Sequence, residues 1–272
     1  SEVLSFGALD ARFARKRRSY FRPSLVVLFV GCSTTGSKSF TLKTNLPADF
    51  KVTADVYYSP ATNATCVMPP TTSSYIPGRK RLKSEVQDIE HSVEFEIPLS
   101  DSAGGCPLVL RSVRLDIQGR WGPDADDVSS DIAGLSFLDQ SDKINKLYNG
   151  ECQWFFRTAG PNRYLIKVIK CLAVDEQGVA LKQPAGGVLQ RDSLINTIVN
   201  VTFKVAAEDS PYYNRSWMKT SVGWKPCTGR WGSNNEELCI SPPKFTDYRM
   251  SEKTCTVYPS CTELEIKNVS KK

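Results

Sequence analysis

Regular alternation of apolar and polar residues is the feature of this chain that most constrains its fold. In Ser92–Ile97, Val93, Phe95 and Ile97 fall on one side of an extended chain and the intervening polar residues fall on the other. This period of two is typical of half-buried strands in antiparallel sheets. The same pattern, or a longer apolar run, occurs in Asp49–Ser59, Ser112–Gln118, Tyr164–Val174 and Asn200–Val205. Turn-forming residues separate these strands, so we expect an all-β protein built from one or two antiparallel β-sandwich domains.

Two other segments bear on the organisation of the chain. The spacing of Ile144, Leu147 and Tyr148 predicts a short helix over residues 139–148. The acidic segment Asp124–Asp131 is typical of a loop or linker. We therefore expect a first β-sandwich domain over residues 40–131 and a second β-rich domain over residues 132–272.

The cysteines indicate a protein held together by disulfides. Of nine cysteines, eight follow residue 40, an even number that suits four disulfides in an oxidising compartment. Two lie in the first half and six in the second. The preferred pairing is Cys66–Cys106 and Cys152–Cys171, with Cys227, Cys239, Cys255 and Cys261 paired among themselves. Each bridge would contribute about 2–4 kcal/mol to the free energy of unfolding.

The ninth cysteine, Cys32, follows an apolar stretch, Leu25–Val30, and Gly31. Upstream lies a basic cluster, namely Arg12, Arg15, Lys16, Arg17, Arg18 and Arg22. This order resembles the signal of a bacterial lipoprotein. The resemblance implies that residues 1–31 are a signal peptide, that Cys32 is lipidated, and that residues 32–39 tether the protein to the outer membrane in the periplasm. The alternative is a buried strand with Cys32 as a core thiol. Six apolar residues are too few for a transmembrane helix, which needs about 20.

The charge of the chain does not indicate a nucleic-acid partner. The formal net charge is +6, from 35 Lys and Arg against 29 Asp and Glu, but residues 1–31 hold six of those cations and only two of the carboxylates. The remaining chain therefore carries 29 against 27, or +2, which is too weak a charge for a nucleic-acid footprint. The sequence contains no Walker loop, dinucleotide fingerprint or HExxH motif, so we expect no cofactor.

Candidate catalytic and metal-binding residues are sparse. The chain has one histidine, His91, and no GxSxG motif, so a Ser-His-Asp triad is not predicted. The acidic run lacks the glycine and terminal glutamate of an EF-hand loop, which favours a solvated linker over a calcium site. We expect a protein that is not an enzyme and that binds no metal.

The segment 207–262 is rich in Pro, aromatic residues and Cys, and has little periodicity. Rigid, aromatic-bearing loops suit recognition, because less conformational entropy is lost on binding. The candidate partner-binding residues are Tyr212, Tyr213, Arg215, Trp217, Trp224, Arg230 and Trp231. The alternative is a C-terminal, loop-rich wrap that only covers a sheet edge.

Two further motifs have open interpretations. Gly-Arg-Trp-Gly occurs at Gly119–Gly122 and again at Gly229–Gly232, and its Trp121 and Trp231 are either tucked under loops or offered to a ligand. In Thr71–Lys83, four cations within five residues make a positive tip, which is either a solvated loop or a contact for an acidic protein or lipid head groups.

The combination of a lipoprotein signal, a long tether and disulfide-braced aromatic loops resembles periplasmic immunity proteins of type VI secretion lipase effectors. The resemblance implies a protein partner, a toxic phospholipase effector, whose active site would be occluded. One alternative is a secreted carbohydrate-binding module or carbohydrate-active enzyme with Trp121 and Trp231 as sugar platforms. Another is a eukaryotic secreted glycoprotein, for which the sequence offers sequons at Asn63, Asn200, Asn214 and Asn268.

Overall fold

The computed structural model describes residues 38–140, 144–227, 239 and 241–261, which consist almost entirely of strands and turns. The one helical element within these residues is a 3-10 turn, Arg191–Leu194. The strands are β1 (Ser39–Leu46), β2 (Phe50–Pro60), β3 (Arg79–Lys83), β4 (His91–Pro98), β5 (Ser100–Ala103), β6 (Cys106–Arg120), β7 (Val128–Leu138), β8 (Gly150–Ala159), β9 (Tyr164–Val174), β10 (Ala180–Pro184), β11 (Gly186–Gln190), β12 (Ile198–Val205), β13 (Ser210–Pro211), β14 (Trp217–Thr220), β15 (Gly223–Pro226), β16 (Tyr248–Met250) and β17 (Lys253–Cys255).

The strands form two large sheets and a separate hairpin. The nine-stranded sheet has the order β17-β16-β9-β8-β12-β1-β4, with β10 beside β9 and β13 beside β8. The six-stranded sheet has the order β11-β7-β6-β2-β3, with β5 beside β6, and β14 and β15 form the hairpin. Five strand pairs are parallel, namely β1/β12, β8/β12, β8/β13, β7/β11 and β9/β16. The all-β, sandwich-like fold is confirmed, but the sheets are mixed rather than purely antiparallel.

The core lies between the two sheets and is built by the alternation that the sequence shows. Along β1, every second residue from Phe40 to Leu46 is buried. Phe40 meets Phe137 of the other sheet with ring centroids 5.6 Å apart. Phe50 and Trp154 also meet between the two sheets, with ring centroids 6.1 Å apart. Gly119 lies against both rings, because a Cβ at this position would be 2.7 Å from each of them. Burying an aromatic or aliphatic side chain in this way contributes about 1.5–3 kcal/mol.

The predicted strands are confirmed, and β9 has the predicted bounds, Tyr164–Val174. The predicted helix over residues 139–148 is wrong for the part that the structure describes. There Asn145 forms a backbone bridge with Val188, and residues 147 and 148 form a turn. Within the described ranges, no helix is long and apolar enough to span a bilayer.

The expected division of the chain between residues 131 and 132 falls inside β7. The acidic segment Asp124–Asp131 is a turn only in its first part, because β7 begins at Val128. Strands from the two expected halves are also neighbours in both sheets, since β1 pairs with β12 and β6 pairs with β7. The two halves therefore share both sheets and one core.

Four disulfides close the fold: Cys66–Cys106, Cys152–Cys171, Cys227–Cys239 and Cys255–Cys261. The preferred pairing is thus confirmed. Cys152 and Cys171 lie directly opposite each other on β8 and β9, and both are fully buried. The other three bridges fasten loops or the C-terminal region.

Candidate partner-binding surface

The far ends of β8 and β9 carry a second apolar cluster, separate from the sandwich core. Phe156 and Leu165 belong to this hairpin, while Trp217, Tyr248 and Tyr258 come from the C-terminal region. Tyr258 stacks on Phe156 with ring centroids 4.1 Å apart, and Trp217 meets Phe156 edge-on at 4.9 Å. We call the described residues of this region, 206–227, 239 and 241–261, the C-terminal cap. Aromatic packing lets this cap fold although it has little regular structure.

Backbone hydrogen bonds hold the parts of the C-terminal cap to each other. The amide of Trp224 donates to the carbonyl of Tyr258 at 2.8 Å, and the amide of Tyr258 donates back to Trp224 at 2.9 Å. The buried Tyr248 hydroxyl donates to the carbonyl of Val257 at 3.0 Å. Burial raises the pKa of Tyr248 to about 12.

A polar group under the cap connects it to β9. The Lys167 ammonium lies 2.8 Å from a carboxylate oxygen of Asp209, and the Tyr258 hydroxyl donates to the same oxygen. Burial raises the pKa of Tyr258, and the hydrogen bond to Asp209 raises it further. Lys167 and Asp209 are largely buried and compensate each other, so the group serves to position the cap.

On the other face of β8, Tyr212 and Tyr213 form an exposed aromatic pair. Their relative exposures are 40% and 39%, and their rings lie 4.8 Å apart in an edge-on arrangement. β13 runs beside β8, and the amide of Tyr212 donates to the carbonyl of Phe156 at 2.9 Å. The backbone under the two rings is therefore fixed, which lowers the entropy lost when a partner binds.

Two side chains of β8 extend this aromatic pair. Phe155 meets the Tyr212 ring at 6.3 Å, and the Arg157 guanidinium lies 5.6 Å from the centroid of the same ring. Arg215 is exposed on the loop that follows. We call Phe155, Arg157, Tyr212, Tyr213 and Arg215 the Tyr212 surface.

The structure separates the predicted partner-binding residues into two groups. Tyr212, Tyr213 and Arg215 are exposed. Trp217 is only 3% exposed, so it is a core residue of the cap and is unavailable as an interface anchor. Trp224 is half-buried against Phe156, with Lys219 over its ring. Arg230 and Trp231 lie outside the described residues.

Phe155 and Arg157 are members of the surface that the sequence analysis did not select. Their strand, β8, alternates between buried and partly exposed residues, and Trp154 and Phe156 point inward. The same period of two would have placed Phe155 and Arg157 on the outer face. The signal is present in the sequence, but the run of three aromatic residues obscures it.

His91 lies at the start of β4. Its Nδ1 atom lies 3.0 Å from the carbonyl oxygen of Ile89, and its Nε2 atom is buried without a described partner. The ring borders a concavity of about 570 Å³ together with Asn45 and Ser92. The Ser92 hydroxyl donates to the Asn45 side chain at 2.7 Å, not to His91.

The acidic segment has structural roles. One Asp131 oxygen accepts the Cys171 amide at 2.7 Å and thus links β7 to β9, and Asp127 accepts the Asp124 amide at 3.1 Å. Within the described ranges, no group of three or more His, Cys, Asp or Glu side chains is arranged to hold a metal ion. Trp121, which follows β6, is half-buried and packs against the sandwich core with its indole nitrogen buried.

The basic segment Arg79–Lys83 is a strand rather than a loop tip. Arg79 and Arg81 both bind the carboxylate of Asp55, and Lys80 lies 3.0 Å from Asp101. Most of the positive charge expected at this position is therefore paired within the protein.

Comparison with known proteins gives no relative: no family model, no curated protein and no solved structure matches the chain.

Proposed function

We propose that this chain is a lipoprotein of the bacterial envelope that binds and neutralises a protein partner through the Tyr212 surface. Cys32 anchors it to the outer membrane on the periplasmic side. The partner that we propose is a toxic phospholipase effector, as in the periplasmic immunity proteins that the sequence resembles, and binding occludes the effector's active site. The observation that supports binding is the exposed Tyr212–Tyr213 pair, which is held by hydrogen bonds to β8, a strand that the Cys152–Cys171 disulfide joins to β9.

The composition of the Tyr212 surface favours a protein partner. Tyr and Arg are enriched among interface residues that contribute most to binding, and exposed aromatic rings bury a large area with few rotatable bonds. The rings of Phe155 and Tyr212 supply apolar area, while Arg157 and Arg215 supply donors for acceptor groups of the partner. Such a surface binds by shape and desolvation and needs no chemistry of its own.

The carbohydrate-binding alternative rests on Trp121 and Trp231 as sugar platforms. Trp121 is half-buried, with its side chain packed against the sandwich core and its indole nitrogen buried, and Trp231 lies outside the described residues. No described contact favours this alternative over protein binding.

The first test is affinity for a candidate phospholipase effector encoded beside the gene. We expect Tyr212→Ala and Arg215→Ala each to weaken binding by about 2 kcal/mol, or about 30-fold, and to reduce inhibition of the lipase, because Tyr and Arg are typical interface anchors. The matched control is Tyr75→Ala, an exposed tyrosine on a different loop. Melting temperatures of the three variants should stay close to that of the wild type. Wild-type affinity in both Tyr212→Ala and Arg215→Ala would reject this surface.

The second test concerns the anchor. Cys32→Ser removes the only thiol to which the proposed lipid attaches, so the variant should leave the membrane fraction or retain residues 1–31. Mass spectrometry of the wild-type protein from membranes measures both features. A wild-type protein that carries residues 1–31 and no lipid would contradict the lipoprotein assignment.

A further inference from the structure

The start of β1 lies at the same end of the sandwich as the loop before β3. The Leu99 amide donates to the Lys38 carbonyl at 2.8 Å, and the Leu110 amide donates to the Leu99 carbonyl at 3.0 Å. Leu110 pairs with Tyr58 across β6 and β2, and the Tyr58 amide donates to the Gly78 carbonyl at 2.7 Å. We call this part of the molecule the Lys38 end.

Three exposed apolar side chains lie in the loops at the Lys38 end. Tyr75 and Ile76, just before Gly78, have relative exposures of 49% and 41%. Val67 is 88% exposed, and its neighbour Cys66 is bonded to Cys106 at the start of β6. Exposed apolar patches are typical of surfaces that contact a protein or a membrane.

The loop that carries Tyr75 and Ile76 is held in place. The Thr72 amide donates to the Tyr75 carbonyl at 2.8 Å, and the Tyr75 amide donates to the Thr72 hydroxyl oxygen at 3.1 Å. The Arg79 amide donates to the Ile76 carbonyl at 3.1 Å, which fixes the turn into β3. These hydrogen bonds keep both side chains at the surface.

We propose that the Lys38 end rests on the lipid bilayer, with Val67, Tyr75 and Ile76 in the interface between head groups and acyl chains. This inference rests on the proposed anchoring through Cys32. Five residues lie between Cys32 and Lys38, where the described chain starts, and the six Cα–Cα steps from Cys32 to Lys38 span at most about 20 Å when fully extended. A lipid on Cys32 therefore keeps the Lys38 end close to the membrane, where tyrosine and aliphatic side chains are favoured.

The same geometry directs the Tyr212 surface away from the bilayer. β12 runs parallel to β1 from Ile198, beside Thr41, to Val205, beside Cys152 of β8. β8 continues in the same direction to Phe156, whose carbonyl accepts a hydrogen bond from the Tyr212 amide. At about 3.3 Å per residue, the path from Ile198 to the level of Phe156 is roughly 35 Å. A partner at the Tyr212 surface then meets no steric hindrance from the membrane.

The test uses tryptophan as a depth reporter in the full-length protein. The lipidated protein is reconstituted into vesicles that contain lipids with a nitroxide in the acyl chain, a quencher of nearby indole fluorescence. Tyr75→Trp is compared with Tyr164→Trp, a tyrosine of similar exposure at the opposite end of the fold, after subtraction of the wild-type signal. We expect the added fluorescence to be quenched in Tyr75→Trp and to persist in Tyr164→Trp.

A second measurement tests the contribution of the apolar side chain without a lipid anchor. In the full-length Cys32→Ser protein, Ile76→Ser should lower the partition coefficient onto vesicles by about fivefold or more, because an aliphatic side chain no longer enters the interface. Val222→Ser, a matched change of an exposed residue in the C-terminal cap, should leave the coefficient unchanged.

The outcomes distinguish this inference from the anchoring on which it rests. A lipidated protein with no quenching in Tyr75→Trp overturns the inference and leaves the anchor intact. Quenching in Tyr75→Trp on a protein that carries no lipid supports the inference and rejects the anchor. Fluorescence of Tyr75→Trp that depends on protein concentration and not on vesicles would show a contact between copies, which also overturns the inference.

Discussion

Asp55 shows how a charge pattern in the sequence acquires a different meaning in the folded protein. Its side chain is 2% exposed and accepts hydrogen bonds from Arg81 at 2.7 and 2.8 Å and from Arg79 at 3.2 Å. The hydrogen bond from Arg81, together with the hydrogen bond from Arg79 and the charges of both arginines, lowers the pKa of Asp55 to about 2 and outweighs burial, which acts in the opposite direction. A carboxylate in this state contributes to stability above the pKa of the unfolded chain, 3.8, and loses that contribution as the pH falls through 2.

We predict that Asp55→Asn lowers the free energy of unfolding at pH 7 by about 2–3 kcal/mol, because Arg79 and Arg81 lose their common partner. The difference from the wild type should narrow as the pH falls from about 4 towards 2. Urea unfolding at several pH values measures it. Asp116→Asn, which breaks an exposed pair with Arg114, is the matched control and should cost less than about 1 kcal/mol. Equal costs for the two variants at pH 7 would contradict the role assigned to Asp55.

The sequence could not reveal this pairing. Arg79 and Arg81 stand in a visible run of cations, but Asp55 lies on β2, and only the register of β2 against β3 brings it opposite Arg81. Trp217 illustrates the same limit. Its residue type and its aromatic, cysteine-rich sequence context favour an interface, but contacts with Phe156 and Tyr248 bury it. Local patterns identify which residues are unusual, while tertiary contacts decide what they do.

At the scale of strands, local periodicity was sufficient to predict several elements. The alternation in β4 and β12 and the long apolar run of β9 follow from side-chain geometry alone, because one face of each strand is buried. The order of the strands and the parallel pairs were not predictable, since they depend on contacts between distant segments. The C-terminal cap was predicted as a disulfide-braced region, but its aromatic core was not.

The disulfides allow a prediction at this scale. Cys66–Cys106 closes a sequence separation of 40 residues and Cys255–Cys261 closes one of 6. Since the entropy removed from the unfolded chain grows with loop length, removal of the longer bridge should cost about 4 kcal/mol and removal of the shorter one about 2 kcal/mol. Both are tested as paired Cys→Ala changes in a Cys32→Ser background, with urea unfolding under non-reducing conditions. A larger loss for the Cys255–Cys261 pair would show that the bridge acts through packing of the cap instead.

At the scale of the whole molecule, strand direction separates the two proposed contacts. β1, β12 and β8 run parallel, from the Lys38 end towards the Tyr212 surface. Loops at one end carry exposed apolar side chains, and the cap at the other end carries an aromatic surface with arginines. In the proposed arrangement, a rigid sandwich holds the partner-binding surface at a distance from the membrane.

The sheet topology also predicts how the protein folds. Because β1 lies between β4 and β12, and β6 lies between β2 and β7, neither residues 38–131 nor residues 132–272 contain a complete sheet. Each fragment would expose unpaired strand edges and one side of the common core, including Phe40 without Phe137. We therefore expect both fragments to be unfolded or aggregated when produced separately, whereas the full-length protein shows an ordered sandwich core.

Circular dichroism of the fragments and amide hydrogen exchange of the full-length protein test this prediction directly. In the full-length protein, amides of β1, β6, β8 and β12 should be the best protected and should exchange with similar free energies, because they belong to the same two sheets. Fragments cut between residues 123 and 124, outside β7, provide the matched control for damage to that strand. A stable, protected fragment 38–123 would show that the first half folds independently. The pairing of β1 with β12 would then not be required for the first half to fold.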